Sequence, residues 1–321
     1  MTENGAPASA GATAERAAGA TAQRPWYIGL LLGTAGWFAG LFLLIFVGAL
    51  FRPDSGPGAL FTGTVLFAAA FGLYRVDRDG AFVSQLALAF SIAGQFAMLY
   101  GLHEVFFKNS QGIAGIAFTG LVIQLALIAL MPNSLHRAMS TLFACVAWAA
   151  FVRYTLWDQP LWGRTPDGVQ RGASLPMALA GWAAVWVTIG AALFWLVKNE
   201  PRWMAAGREA LARPVATGLI LGLAFATLMS QPLESLLFFR EMGVKSGWFA
   251  IWPLLSALAA LGALAAAFAL GSRGLMGVCI LAALVHMSHF YYAMGTTLLV
   301  KAAIMMVMGV ACLVAARQLR A

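Results

Sequence analysis

The stretch VHMSHFYYAMGTTLLVKAA, residues 285–303, sets two imidazoles (His286, His289), two phenols (Tyr291, Tyr292) and an amine (Lys301) among apolar neighbours. Such groups can relay protons, ligate a metal, or hydrogen-bond one helix to the next. His286, His289 and Tyr292 recur at i, i+3 and i+6, a spacing that predicts one shared helix face. Thr297, Lys301, Met305 and Met308 make a second stripe. If both stretches are helices that turn near residues 294–296, His289 and Lys301 each lie roughly 9 Å from the turn and share one depth.

A lysine at depth in hydrocarbon costs a few kcal/mol, so it should pair or snorkel. Glu234, in Gln231-Pro232-Leu233-Glu234, is the first partner expected for Lys301, and Glu104, after His103, is the second. The candidate site is therefore an outer-leaflet polar cluster of Glu104, Glu234, His286, His289, Tyr292 and Lys301. Its metal chemistry is unpromising, because two histidines and a lysine lack the convergent thiolates or carboxylates of a closed site. The histidine pair has no HExxH glutamate, and G-x-S-x-G, the P-loop and the dinucleotide fingerprint are all missing. No catalytic residue, metal ligand or cofactor is assigned. Helix-to-helix hydrogen bonding, at about 0.6–2 kcal/mol each, is the first expectation for these groups. Proton or solute handling is the second, and catalysis the third. Gln85, Gln95 and Gln124 also fall within apolar stretches and are expected to face the bundle interior as glue.

The elements that must position this cluster follow from composition. Of 321 residues, 61% are apolar and 10% charged, with mean hydropathy +0.82. Soluble domains carry about 25% charged residues. The apolar runs reach about 20 residues, the length that crosses roughly 30 Å of hydrocarbon. The alternating strands of an outer-membrane barrel are absent. This predicts an all-α polytopic transmembrane bundle of about ten spans, with the lipid bilayer as its first partner.

The net charge of +8 does not point to nucleic acid, since the 20 basic residues are scattered through short loops and form no stripe. Cys145, Cys279 and Cys312 show no CxxC spacing and read as small core residues.

Residues 1–24 are rich in Ala, Gly and Thr without an apolar run, which predicts a disordered cytoplasmic tail and no signal peptide. Residues 25–321 form one transmembrane helical domain. Spans are expected near 26–51, 58–75, 82–104, 111–131, 134–155, 175–197, 214–239, 247–270, 274–293 and 296–316. The fifth, with His136, Arg137, Ser140 and Thr141 in its first turns, is the least lipid-like and is placed inside the bundle. On this topology twelve Lys and Arg residues fall on the side of the N-terminus and seven opposite, Lys301 lying within a span. That bias puts both termini in the cytoplasm. The cytoplasmic segment KNEPRWMAAGREALARP, 198–214, is expected to lay a short helix on the anionic leaflet, Trp203 and Leu211 dipping in. The outer segment 156–174 rests Trp157 and Trp162 at the opposite interface.

Ten spans invite a test for two inverted halves of five, as in many transporters. Ala-Gly-Trp-x-Ala recurs at 35–39 and 180–184, Thr-Gly-x-x-Leu at 62–66 and 217–221, and Gly-x-x-Gly at 112–115 and 274–277. The matches fall in order, but a chain built of Ala, Gly, Leu and Phe yields such coincidences freely.

Three blocks, PWYIGLLLGTAGWFAGLFLLIF, MPNSLHRAMSTLFA and HFYYAMGTTLLVKAAIMMVMGVACLVAAR, resemble a family of bacterial multi-pass inner-membrane proteins catalogued as domain of unknown function 4401. The third block is the most specific. Ala302 stands where the family usually has Ser after the lysine, which weakens any role for a hydroxyl there. The resemblance supplies no reaction. It implies an inner-membrane protein often encoded beside a small membrane-anchored protein bearing a GDYxxLxY motif, hence a neighbouring-gene partner. The leading expectation is a component of a membrane complex. A small-solute or proton-coupled transporter is the alternative, and a membrane-embedded enzyme the third.

Overall fold

A computed structural model describes residues 26–51, 55–76, 81–107, 112–156, 175–225, 251–293 and 296–318. All regular structure among them is helical. In chain order the helices are α1 Trp26–Phe51, α2 Gly56–Val76, α3 Ala81–Leu102, α4 Ile113–Leu130, α5 Ser134–Leu156 and α6 Leu175–Lys198. There follow α7 Glu200–Ala205, α8 Glu209–Phe225, α9 Ile251–Ala269, α10 Arg273–Ala293 and α11 Leu298–Gln318. A five-residue π-helical stretch, His103–Phe107, extends α3. Seven helices are long and apolar enough to cross a bilayer, at Gly56–Val76, Phe82–Phe106, Ile113–Leu130, Ser134–Leu156, Leu179–Lys198, Trp252–Ala269 and Arg273–Tyr292. The chain is thus built as a membrane protein. Its many exposed apolar side chains, such as Phe42, Phe96, Phe194 and Phe268, face the solvent such a protein expects.

Local chemistry sets the helix ends. Asn133 caps α5 by accepting the His136 N–H on Oδ1 at 3.0 Å, and Ser55 accepts the Gly58 N–H at 3.3 Å ahead of α2. Helices α7 and α9 stop by the same device. Gly207 and Gly271 both adopt φ of 67°, the left-handed conformation that costs other residues about 1–2 kcal/mol. After Gly207 the Arg208 N–H reaches the Trp203 carbonyl, and after Gly271 the Ser272 N–H reaches the Ala267 carbonyl. These are Schellman closures, which satisfy carbonyls that a helix end leaves orphaned.

The chain divides into two compact units: residues 1–54 with 61–97, and residues 55–60 with 98–321. In the first, α1 lies close against α3. A Cβ added at Gly36 would stand 2.6 Å from the Phe82 carbonyl oxygen, and one at Gly40 the same distance from the Ala89 Cβ. Leu66, Ala70 and Phe90 form the buried apolar cluster there. Gln95 is buried as expected and donates to the Ser91 hydroxyl at 3.2 Å.

In the second unit α8 is central, packing on α5, α6, α9 and α10. Small residues let these helices close. A Cβ at Gly218 would meet the Thr141 Cβ at 2.4 Å and the Ala138 carbonyl oxygen at 2.5 Å, and one at Gly222 would meet the Cys145 Sγ at 2.7 Å. Ala260, Ala263 and Ala267, one stripe of α9, are fully buried, as are Cys279 and Ala282 of α10. Close approach through small residues is how membrane helices gain packing energy where no hydrophobic drive separates helix from lipid. Cys145 and Cys279 are thus core residues, as their spacing suggested.

Candidate functional site

The histidines sit on α10, whose apolar run carries them into the second unit. His286 is fully buried. Its Nε2 lies 2.7 Å from the Ala224 carbonyl oxygen near the end of α8, a bond in which the ring N–H donates. This joins residues 62 positions apart in the chain. His289 is half-buried, one turn further on.

Tyr292 departs from the expected face. It is 74% exposed and meets Tyr291 edge-on, ring centres 5.5 Å apart. The reason is helical arithmetic. At about 100° per residue, i+3 returns within roughly 60° of its origin, but i+6 lies about 120° away. A stripe that begins buried at His286 therefore leaves the core by Tyr292.

Lys301 stands on α11, half-buried, with its ammonium 4.8 Å from the centre of the Tyr291 ring. The hairpin expected of the two stretches does bring Lys301 to α10, but to an aromatic face. Phe290, also on α10, packs against Ile304 of α11 and Leu254 of α9, which fixes the approach. Glu104 stands in the π-helical stretch after α3, its Cβ 2.9 Å from where a Gly56 Cβ would lie. Glu234 lies outside the described residues. Among the described members, His286 ties α10 to α8, Lys301 rests on Tyr291, and Tyr292 faces outward.

A second set of buried polar groups lies on α5, the most buried of the seven spans. His136, Ser140, Thr141 and Arg153 are all at most 3% exposed. His136 Nδ1 and the Ser140 hydroxyl are 3.2 Å apart, and the Thr141 hydroxyl donates back to the Arg137 carbonyl at 2.8 Å. Arg137 itself donates to the Ala210 carbonyl of α8 at 2.7 Å. Sequence reasoning placed α5 inside the bundle and saw its first turns as polar. Arg153, counted with the outer-side charges at the end of the expected span 134–155, lies in the last turn of α5 with its side chain buried. Gln124, on α4, is buried as expected.

The described residues thus form an all-helical membrane protein in which His286 and Arg137 link helix to helix, while His136, Ser140, Thr141 and Gln95 bond within their own helices. Among them, no three histidine, cysteine or carboxylate side chains gather as a metal-binding group. The family model described as Domain of unknown function (DUF4401) matches residues 25–250, and the chain belongs to that family. The opening and middle blocks of the resemblance lie inside this match. The closing block, with His289 and Lys301, lies beyond it. No curated protein and no solved structure matches the chain.

Proposed function

We propose that this protein is a ten-span component of the bacterial cytoplasmic membrane, with both termini in the cytoplasm, that acts as a helical scaffold within a membrane complex. The observation that carries this reading is the His286–Ala224 bond. The most chemically capable buried side chain of the candidate cluster is spent on the backbone of another helix, which is work of assembly rather than turnover.

Ten spans are supported by α1, of 26 residues, and α11, of 21, which reach about 39 and 31 Å at 1.5 Å per residue. The tenth is α8, with 17 residues as far as Phe225, the last one described. The excess of Lys and Arg on one side supports the orientation. The family resemblance supports a small membrane-anchored partner with a GDYxxLxY motif.

Two measurements test this. Reporter fusions after residues 76, 130, 198 and 271 should report the cytoplasm, and fusions after 53, 109, 165 and 240 the far side. The full-length tagged chain, extracted in mild detergent, should run on native gels with a second membrane protein. Migration as a lone chain, with no membrane protein co-purifying, would overturn membership of a complex.

A further inference from the structure

We infer that the elbow joining α6 to α8 is a binding site for the phosphate of an anionic phospholipid headgroup, held by Lys198, Arg202 and Arg208. This rests on the membrane reading and adds a ligand to it. Residues 198–213 hold four cations and two carboxylates, Glu200 and Glu209. Both carboxylates turn to one cation: Arg213 lies 3.5 Å from Glu200 and 3.1 Å from Glu209. The other three are exposed and lie against uncharged groups. Lys198 stands 6.0 Å from the centre of the Phe194 ring. Arg202 donates to the Asn199 side-chain oxygen at 3.2 Å. Arg208 lies over Trp203 at 5.6 Å.

The backbone builds this arrangement. Asn199, whose amide N–H2 donates to the Trp195 carbonyl at 2.7 Å, continues α6 into the turn, and Pro201 opens α7. The Schellman closure at Gly207 bonds the Arg208 N–H to the Trp203 carbonyl, so the same two residues whose side chains stack are joined through their backbones. Trp203 in turn meets Trp195 edge-on at 5.7 Å. A ladder of Trp195, Trp203 and Arg208 results. A guanidinium lying on a ring keeps its N–H groups, which leave from its edge, and these match a phosphate's oxygens two at a time. The elbow directly follows the apolar run Leu179–Lys198, which sets it at headgroup depth, where tryptophan rings also settle. A basic segment at that depth gains about fivefold in affinity for an anionic surface per cation.

The test uses the full-length protein in nanodiscs and in detergent, with phosphatidylglycerol and phosphatidylcholine of matched acyl chains as probes and native mass spectrometry as readout. The wild type should retain phosphatidylglycerol in preference to phosphatidylcholine. K198Q/R202Q/R208Q should lose that preference by roughly tenfold or more, and R208K, which keeps the charge but not the fork, should lose part of it. R75Q, which removes an exposed cation held over Phe71 on α2, should change the preference far less than the triple variant does. Inorganic phosphate at millimolar concentration should not displace the lipid. Equal retention of the two lipids, an unaltered preference in the triple variant, or displacement by inorganic phosphate each overturns the proposal. Release of the protein from membranes by alkaline carbonate would instead defeat the membrane reading itself. Should the triple variant fail to fold, R208Q and R208K singly, checked by thermal unfolding, decide the same question.

Discussion

The guanidinium of Arg137 reaches the Ala210 carbonyl at 2.7 Å, and that oxygen is the one Pro214 leaves without its helical donor. Pro214 lies inside α8 and has no N–H to give the residue four back. Arg137 supplies the missing donor from α5. R137M should therefore destabilise the protein by about 1–2 kcal/mol. In a P214A background, where the backbone can bond Ala210 itself, the same change should cost clearly less. Thermal unfolding of the four members of this cycle in detergent checks it, and additive costs would show that the two residues are not coupled.

Glycines on these helices divide by what a methyl group would meet. G218A drives a Cβ into Thr141 and the Ala138 backbone and should cost about 1–3 kcal/mol, since overpacking forces the helices apart. G262A on α9, with nothing within 4 Å, should be neutral or gain up to about 1 kcal/mol of helix propensity. Comparable melting temperatures for the two variants would mean that the α5–α8 approach is looser than described.

For Lys301 the sign depends on which partner is removed. K301M gives up the attraction to the Tyr291 ring, about 0.5–2 kcal/mol, and also relieves the cost of a half-buried ammonium, so little net change is expected. Y291L leaves the ammonium without its ring and should unfold at the lower temperature of the two. The reverse order would assign the stabilisation to the lysine rather than to the pair.

Replacing His286 by Leu should cost about 1–2 kcal/mol, as removal of a buried interhelical hydrogen bond does in membrane proteins. H286Q, whose amide can still donate to the Ala224 carbonyl, should recover part of that loss. A cysteine pair across α8 and α10 near these positions should crosslink in the wild-type background and less in H286L. Unchanged crosslinking and unfolding in H286L would remove the bond from any role in assembly.

The helices were legible because hydrocarbon imposes a simple rule: about 20 apolar residues, then punctuation. The expected 134–155, 175–197 and 274–293 differ from α5, α6 and α10 by a residue at their ends. The start of α8 was misjudged by five residues, since Pro214 looks like a first-turn proline and Arg137, 73 positions away, is what lets it sit deeper. The candidate site was harder to see for the same kind of reason. Ionisable residues announce themselves in an apolar chain, so His286 and Lys301 were found, but their partners are a backbone carbonyl and a ring, which carry no sequence signature of pairing. Tyr292 leaves the expected face because a three-residue period drifts from the helical one.

The described length of α8 is held at two points, by Arg137 on Ala210 and by His286 on Ala224. Fourteen residues, about 21 Å of axis, separate the two points. A rod pinned at two points to different neighbours can neither slide nor turn about its own axis without breaking a pin. Motion that leaves both bonds intact carries α5, α8 and α10 as one body.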